Sequence, residues 1–268
     1  MAKQLTFGYS PCPNDTFMFN AIAHAAVGVD GYQMQPVLHD VETLNQMAMD
    51  AVLDVSKLSF YAWLKVRDRY RLLDSGGAMG FGCGPVLVAT KPIKPTEIHR
   101  SRVVLPGRWT TAHLLFQLWA PDAHHRYFTS YDRVLDELNA GRADCGVIIH
   151  ESRFTFEAAG FKALVDLGAW WEETTGLPIP LGGIAAKKSL GVPLIEQIDT
   201  AIQASIRRAM ADPDEALPYI QRHAQEMDNT VLKAHIRTFV NDFSLTLTPP
   251  GRLAIEKLAT MARDAGAI

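Results

Sequence analysis

The sequence predicts an α/β fold of two similar lobes hinged about a cleft, with a mixed sheet in each lobe. Three observations lead there. Short apolar runs alternate with longer helical patterns along the chain. Two glycine- and proline-rich patches, at residues 76–84 and 176–183, mark places where the chain passes from one lobe to the other. The segment Glu42–Asp54 aligns without gaps on Asp132–Asp144, each an amphipathic helix, a short connector and a strand entered through an aspartate. The length of 268 residues agrees with roughly two domains. The expected division is residues 1–90 and 188–268 for the first lobe and 91–187 for the second.

The elements follow in order. Leu5–Tyr9 reads as a strand, Ser10–Asp15 as a turn-rich loop, and Thr16–Val27 as a helix whose apolar face holds Phe17, Phe19, Ile22 and Ala26. Tyr32–Leu38 is a strand, Val41–Met49 a helix and Leu53–Val55 a third strand. After the first crossing come strands at Pro85–Thr90 and Arg102–Leu105, and a helix at Thr111–Trp119. A strand at Arg126–Thr129, a helix at Asp132–Asn139 and a strand at Cys145–Ile149 complete the second run. From about Leu194 onward the pattern is helical, broken at Pro213, Pro218 and Pro249-Pro250.

Composition excludes several classes. A chain that is 48% hydrophobic and 21% charged is an ordinary globular protein, not a disordered or fibrous one. Its net charge of −3 provides no basic footprint for nucleic acid. The apolar runs fall short of the ~18 residues that a membrane span needs. Met-Ala-Lys leads directly into the first strand without an apolar leader, so the expectation is a cytoplasmic protein. Three scattered cysteines, Cys12, Cys83 and Cys145, suggest neither a disulfide framework nor a zinc site. No phosphate loop is present. The glycines of Gly80-Phe81-Gly82-Cys83-Gly84 precede a strand rather than open a helix, so they are no dinucleotide loop. Neither a metal nor a cofactor is expected.

In open α/β sheets ligands bind beyond the carboxyl ends of strands. The segments 10–16, 56–59, 107–111 and 150–152 should therefore face the cleft. Asn14, Asp15 and Thr16 stand at one helix start, Thr110 and Thr111 at another. Free N–H groups there attract anions, and the same residues also cap helices; spacing alone does not separate a carboxylate site from a cap. Lys57, Leu58 and Ser59 follow a buried strand, where Lys57 either pairs with a carboxylate or is simply solvated. His150 ends the apolar run Val147-Ile148-Ile149 at the expected cleft rim. An imidazole there accepts a proton near neutral pH, or it is one of several inert histidines. Glu151 next to it points to the opposite face if the strand continues. Trp170 and Trp171 read as core packing or a helix cap.

Several of these segments together resemble a known family. Ser10-Pro11-Cys12-Pro13-Asn14-Asp15-Thr16-Phe17 is similar to the signature of the 1,4-dihydroxy-6-naphthoate synthases of the futalosine route to menaquinone. The stretches 54–59, 106–112, 146–151 and 177–183 resemble further segments of that family in the same order. The resemblance implies a two-lobed fold like that of type II periplasmic binding proteins. It implies cyclic dehypoxanthine futalosine, a small-molecule carboxylate, as substrate, and dihydroxynaphthoate and dihydroxyacetone as products. It also implies His150 as proton acceptor, with Lys57–Ser59 and Thr110-Thr111 in substrate-binding segments. Two rivals share the clamshell: a solute-binding protein without catalysis, and the related chorismate dehydratases.

Overall fold

The computed structural model of the chain describes residues 2–224 and 228–268. The first half runs β1 (Lys3–Tyr9), α1 (Pro13–Ala23), β2 (Tyr32–Leu38), α2 (Val41–Met49), β3 (Val55–Ser59), α3 (Phe60–Val66), β4 (Tyr70–Leu72) and β5 (Ala78–Gly80). The chain then enters β6 (Val86–Ala89), β7 (Val103–Leu105), α4 (Thr111–Trp119), β8 (Arg126–Phe128), α5 (Val134–Asn139), β9 (Cys145–Ile148), α6 (Ser152–Thr155), β10 (Lys162–Asp166) and α7 (Leu167–Thr175). It returns through β11 (Ile179–Lys187) and closes with α8 (Val192–Ala211), α9 (Leu217–His223), α10 (Asn229–Phe239), α11 (Asp242–Leu245) and α12 (Pro249–Asp264).

Two mixed sheets result. The first has the order β2-β1-β3-β11-β4, with β5 also on β11; the second has the order β8-β7-β9-β6-β10. In each, three parallel strands are followed by a fourth that runs against them and a fifth antiparallel to the fourth. The fourth strand in each case, β11 and β6, is the first strand the chain forms after crossing into that lobe. The internal likeness read from the sequence is physical. Asp54 precedes β3 and its carboxylate accepts the Thr6 N–H at 3.0 Å, while Asp144 precedes β9 and accepts the Arg102 N–H at 2.7 Å. Both aspartates thus tie their strand to the neighbouring parallel one, Asp54 at the middle of β1 and Asp144 at the residue before β7.

Strand pairing moves the expected boundaries. Residues 86–89 were assigned to the first lobe, yet β6 pairs with β9 and β10 in the second sheet. Residues 179–187 were assigned to the second lobe, yet β11 pairs with β3 in the first. Glycine and proline had made 176–183 look like a connector. In β11 Gly182 is instead required, because a Cβ there would lie 2.7 Å from the Leu58 carbonyl oxygen. The third strand also lies further along than expected, so Ser56–Ser59 are strand and not loop. Helix α1 starts earlier, at Pro13, whose missing N–H costs nothing at a first helical position. It is buried on all sides, not along one face, because α8, α9 and α10 pack around it.

At the first crossing Gly84 runs against the start of α7. A Cβ on Gly84 would sit 2.3 Å from the Gly168 Cα, closer than any packing permits. Gly84→Ala is therefore expected to lower unfolding stability by about 1–3 kcal/mol through backbone displacement. Gly28→Ala, with open space around it, serves as the control. Denaturant midpoints of the two variants check this; equal midpoints would show that the crossing yields freely.

Candidate active site at the lobe interface

A cavity of about 700 Å³, its open mouth included, lies between the lobes. From the first lobe Ser10, Asn14, Asp15, Lys57, Leu58, Ser59, Ala78, Gly182 and Phe239 line it. Thr110, Thr111, Ala112, Ile149, His150 and Arg153 face them from the second. Of the nine residues singled out in the sequence, eight are brought to this one cavity. Thr16 is not: its hydroxyl donates to the Cys12 carbonyl at 3.0 Å, within its own helix.

The floor is a buried polar network. Lys57 Nζ lies 2.7 Å from Asp15 Oδ1, with both side chains almost wholly buried. Burying two charges costs several kcal/mol each unless every remaining lone pair is used. Here the other demands are met. Asp15 Oδ2 accepts the Ser10 N–H at 3.1 Å and the Ser10 hydroxyl at 2.8 Å, and Asn14 Nδ2 donates to Oδ1 at 2.9 Å. In the loop after β1 the protein's own carboxylate thus takes the Ser10 N–H and hydroxyl. Asn14 Oδ1 in turn lies 2.9 Å from Nε2 of His235 on α10. Sequence reasoning missed His235; it sits mid-helix, and only the fold brings it to the loop after β1. An ammonium has three donors and Asp15 uses one, so Lys57 keeps two N–H groups. Ser59 Oγ accepts from Asn45 Nδ2 at 3.0 Å, which leaves its O–H uncommitted to a protein acceptor among the described residues. Leu58 packs with Val66, Tyr70 and Ala185 in the core.

Thr110 caps α4: its hydroxyl oxygen accepts the His113 N–H at 3.2 Å. Thr111 donates to the Leu181 carbonyl of β11 at 2.6 Å, a contact between the lobes. The N–H groups of Thr111 and Ala112 begin the helix and have no intrahelical partner. Arg153, also missed in the sequence, donates to Asp166 Oδ2 at 2.6 Å at the cavity edge.

His150 stands on the opposite wall. Strand β9 ends at Ile148, and His150 takes a left-handed backbone conformation with φ of 56°. Such a conformation is uncommon for a residue other than glycine. Its ring meets Tyr131 edge-on at 4.8 Å and lies nearly parallel to His235 at 6.2 Å. Burial holds its pKa below the ordinary histidine value, against the Glu151 and Asp15 carboxylates, which pull it up. It is accordingly neutral, and able to accept a proton, at neutral pH. Burial holds His235 well below its ordinary value too. An imidazole nitrogen of His150, the Glu151 carboxylate and Cys12 Sγ lie within 4.8 Å of one another. Burial and Glu151 push the Cys12 thiol up, so this group carries a protonated thiol.

One further contact joins the lobes. Glu42, on α2 of the first lobe, accepts the backbone N–H groups of Arg108 at 2.9 Å and Trp109 at 3.0 Å in the loop after β7. Gly107 permits this approach. Its φ is 145°, and a Cβ there would meet the Glu42 carboxylate at 2.6 Å.

The fold defines the class as the periplasmic-binding-protein fold. An alkanesulfonate-binding protein of Xanthomonas axonopodis pv. citri superposes with a TM-score of 0.70 at 12% identity, covering 100% of this chain and 94% of its own. A solved protein of Archaeoglobus fulgidus is nearer, with a TM-score of 0.93, 33% identity, and 99% and 98% coverage. Within that class the chain belongs to the menaquinone biosynthesis family, which it matches over residues 5–264. A protein of Thermus thermophilus named 1,4-dihydroxy-6-naphtoate synthase is 47% identical over 98% of this chain and 96% of its own length. A Streptomyces coelicolor protein of the same name is 39% identical over 100% and 95%.

Glu42 is a polar latch between the lobes, beside the Thr111–Leu181 contact and the apolar cluster that spans them. Glu42→Ala removes both cross-lobe acceptors and is expected to raise the radius of gyration in solution scattering relative to wild type. It should also raise KM by about tenfold, the worth of a charge-assisted hydrogen bond. An unchanged scattering curve would show that the other interlobe contacts suffice.

Proposed function

We propose that the chain is a carbon–carbon lyase that converts cyclic dehypoxanthine futalosine to 1,4-dihydroxy-6-naphthoate and dihydroxyacetone. The observation that carries this reading is His150: a neutral, desolvated imidazole on the wall of an interlobe cavity, in a chain of the menaquinone biosynthesis family. His150 takes the proton from a substrate hydroxyl. The electron pair left on that oxygen forms a carbonyl as the adjacent C–C bond breaks, the pair of that bond is taken up as an enolate by the other fragment, the proton held by His150 is returned, and the three-carbon fragment leaves. Formation of the aromatic naphthalene drives the step. What the protein must provide is a base and donors for the developing oxyanion. Lys57 and Ser59 have N–H and O–H groups to spare on the wall opposite. The start of α4 at Thr111 and Ala112 offers N–H groups to the substrate carboxylate. The Glu42 latch would shut the cleft against water during the reaction. This reading fits an enzyme of the cytoplasm working on a small soluble acid.

Incubating the purified chain with cyclic dehypoxanthine futalosine should yield the naphthoate. His150→Asn should lower kcat by about 10²–10⁴-fold with substrate binding retained. The wild-type kcat/KM should fall on acidification as His150 protonates in the free enzyme, with its midpoint below the ordinary histidine value. Near-wild-type turnover by His150→Asn would remove the histidine from the chemistry. Product absent from the wild-type reaction would remove the substrate.

A further inference from the structure

The sequence places Glu151 on the face away from His150 if the strand continues. It does not continue. The left-handed turn at His150 redirects the chain, and Glu151 becomes the residue before the single helical turn of α6. A non-glycine residue in that backbone region costs of order 1–3 kcal/mol, which the surrounding structure must over-determine. The consequence of the turn is that two adjacent side chains, which a strand would separate, come together. The Glu151 carboxylate lies within 4.8 Å of an imidazole nitrogen of His150.

Both groups are unfinished. His150 Nε2 is sealed from solvent without a hydrogen-bond partner, and so is Glu151 Oε2. A buried polar atom left unpaired costs about 1–3 kcal/mol, so two such atoms on adjacent residues call for an explanation. They are complementary in one state only. A carboxylate only accepts, and an imidazole nitrogen donates only when it bears a proton. With the proton on Nε2, the imidazole becomes a donor that the carboxylate can accept once the two close to hydrogen-bond distance.

We propose that Glu151 is the positioning residue of the catalytic base: it holds the His150 proton on Nε2, leaves Nδ1 as the nitrogen that takes the substrate proton, and stabilises the imidazolium that results. This rests on the reading of His150 as base. The hydrogen bond closes when the substrate fills the cavity, because catalytic contacts are often long in the empty site. The neighbouring groups are consistent with the assignment. Asp15 on α1, Asp40 before α2 and Glu151 itself favour the protonated ring, while Lys57 on β3 and burial oppose it. His235 on α10 is held neutral and adds no charge, and the Cys12 thiol and Tyr131 hydroxyl are both pushed up into their neutral forms. Among these groups Glu151 is the one with an unpaired oxygen beside the ring.

The test compares Glu151→Gln, Glu151→Asp and His150→Asn in the full chain, with kcat, KM and the pH dependence of kcat/KM for each. Glutamine keeps the shape and removes the charge. The acid limb of kcat/KM in Glu151→Gln should move down by about 1 pH unit, since the ring loses an anion within a few ångströms. Its kcat should fall about tenfold or more, with KM unchanged within about twofold. Glu151→Asp should restore the wild-type limb. A purely structural role would leave the limb in place in Glu151→Gln, and that result, with His150→Asn inactive, overturns the proposal while sparing the base. An active His150→Asn overturns both. Should Glu151→Gln fail to fold, the ¹⁵N resonances of the His150 imidazole in the wild-type chain decide: protonation at Nε2 in the neutral ring supports the proposal, and protonation at Nδ1 overturns it.

Discussion

The buried ion pair between Lys57 and Asp15 is the constraint from which the rest of the site follows. Two charges with almost no solvent contact are stable only if the fold spends other polar groups on them. Ser10, Asn14 and, through Asn14, His235 are those groups. They come from the β1–α1 loop, from α1 itself and from α10. The pair therefore fixes where the C-terminal helices return to the first lobe. It also explains why α1, an unusually buried helix, has polar residues in its first turn. The lysine reaches the cavity with its charge balanced and with N–H groups left over, so it can steer a ligand oxygen without raising the cost of closing the cleft.

The two lobes repeat one plan, and the differences between the copies mark the chemistry. Each has a loop after its central parallel strand where backbone N–H groups face the cleft. In both, a carboxylate of the protein occupies those groups: Asp15 in its own lobe, Glu42 reaching from the first lobe to the second. The first arrangement is permanent, because the aspartate is also tied to Lys57. The second spans the two lobes, so it exists only while they are together. Asymmetry between otherwise equivalent loops thus separates a contact within one lobe from a contact between lobes. The ends of β3 and β9 diverge likewise. One runs on into helix α3, while the other breaks into the left-handed turn that carries His150.

Much of this was legible in the sequence, and the failures have physical causes. Alternation of strand and helix, the paired Asp54 and Asp144 and the cleft position of His150 follow from local pattern. Ser56–Ser59 were placed beyond the end of the third strand because polar residues seldom fill a central strand; here they are buried by the ion pair and by Asn45. The glycines of 182–183 suggested a connector, whereas they let β11 approach β3 and Phe60 closely. Thr16 was misplaced because its hydroxyl turns back onto its own helix. His235 and Arg153 had no local signal at all, since their partners lie in other elements and tertiary contact alone gives them meaning.

A solute-binding clamshell and an enzyme of the same fold face one common requirement, closing on a ligand, and differ in what must happen once closed. A binding site needs its donors matched to the ground state, whereas a lyase needs a group whose best bonding is reached only after a proton has moved. The floor of this cavity is of the first kind: the Asp15 carboxylate is paired before a ligand arrives, and Lys57 and Ser59 keep donors for it. The wall that carries His150 and Glu151 is of the second kind, and it keeps two unpaired buried atoms. A strained backbone turn holds them there against an easy escape to solvent. On the proposed reading of His150, the same fold that holds a solute can here hold a base in place.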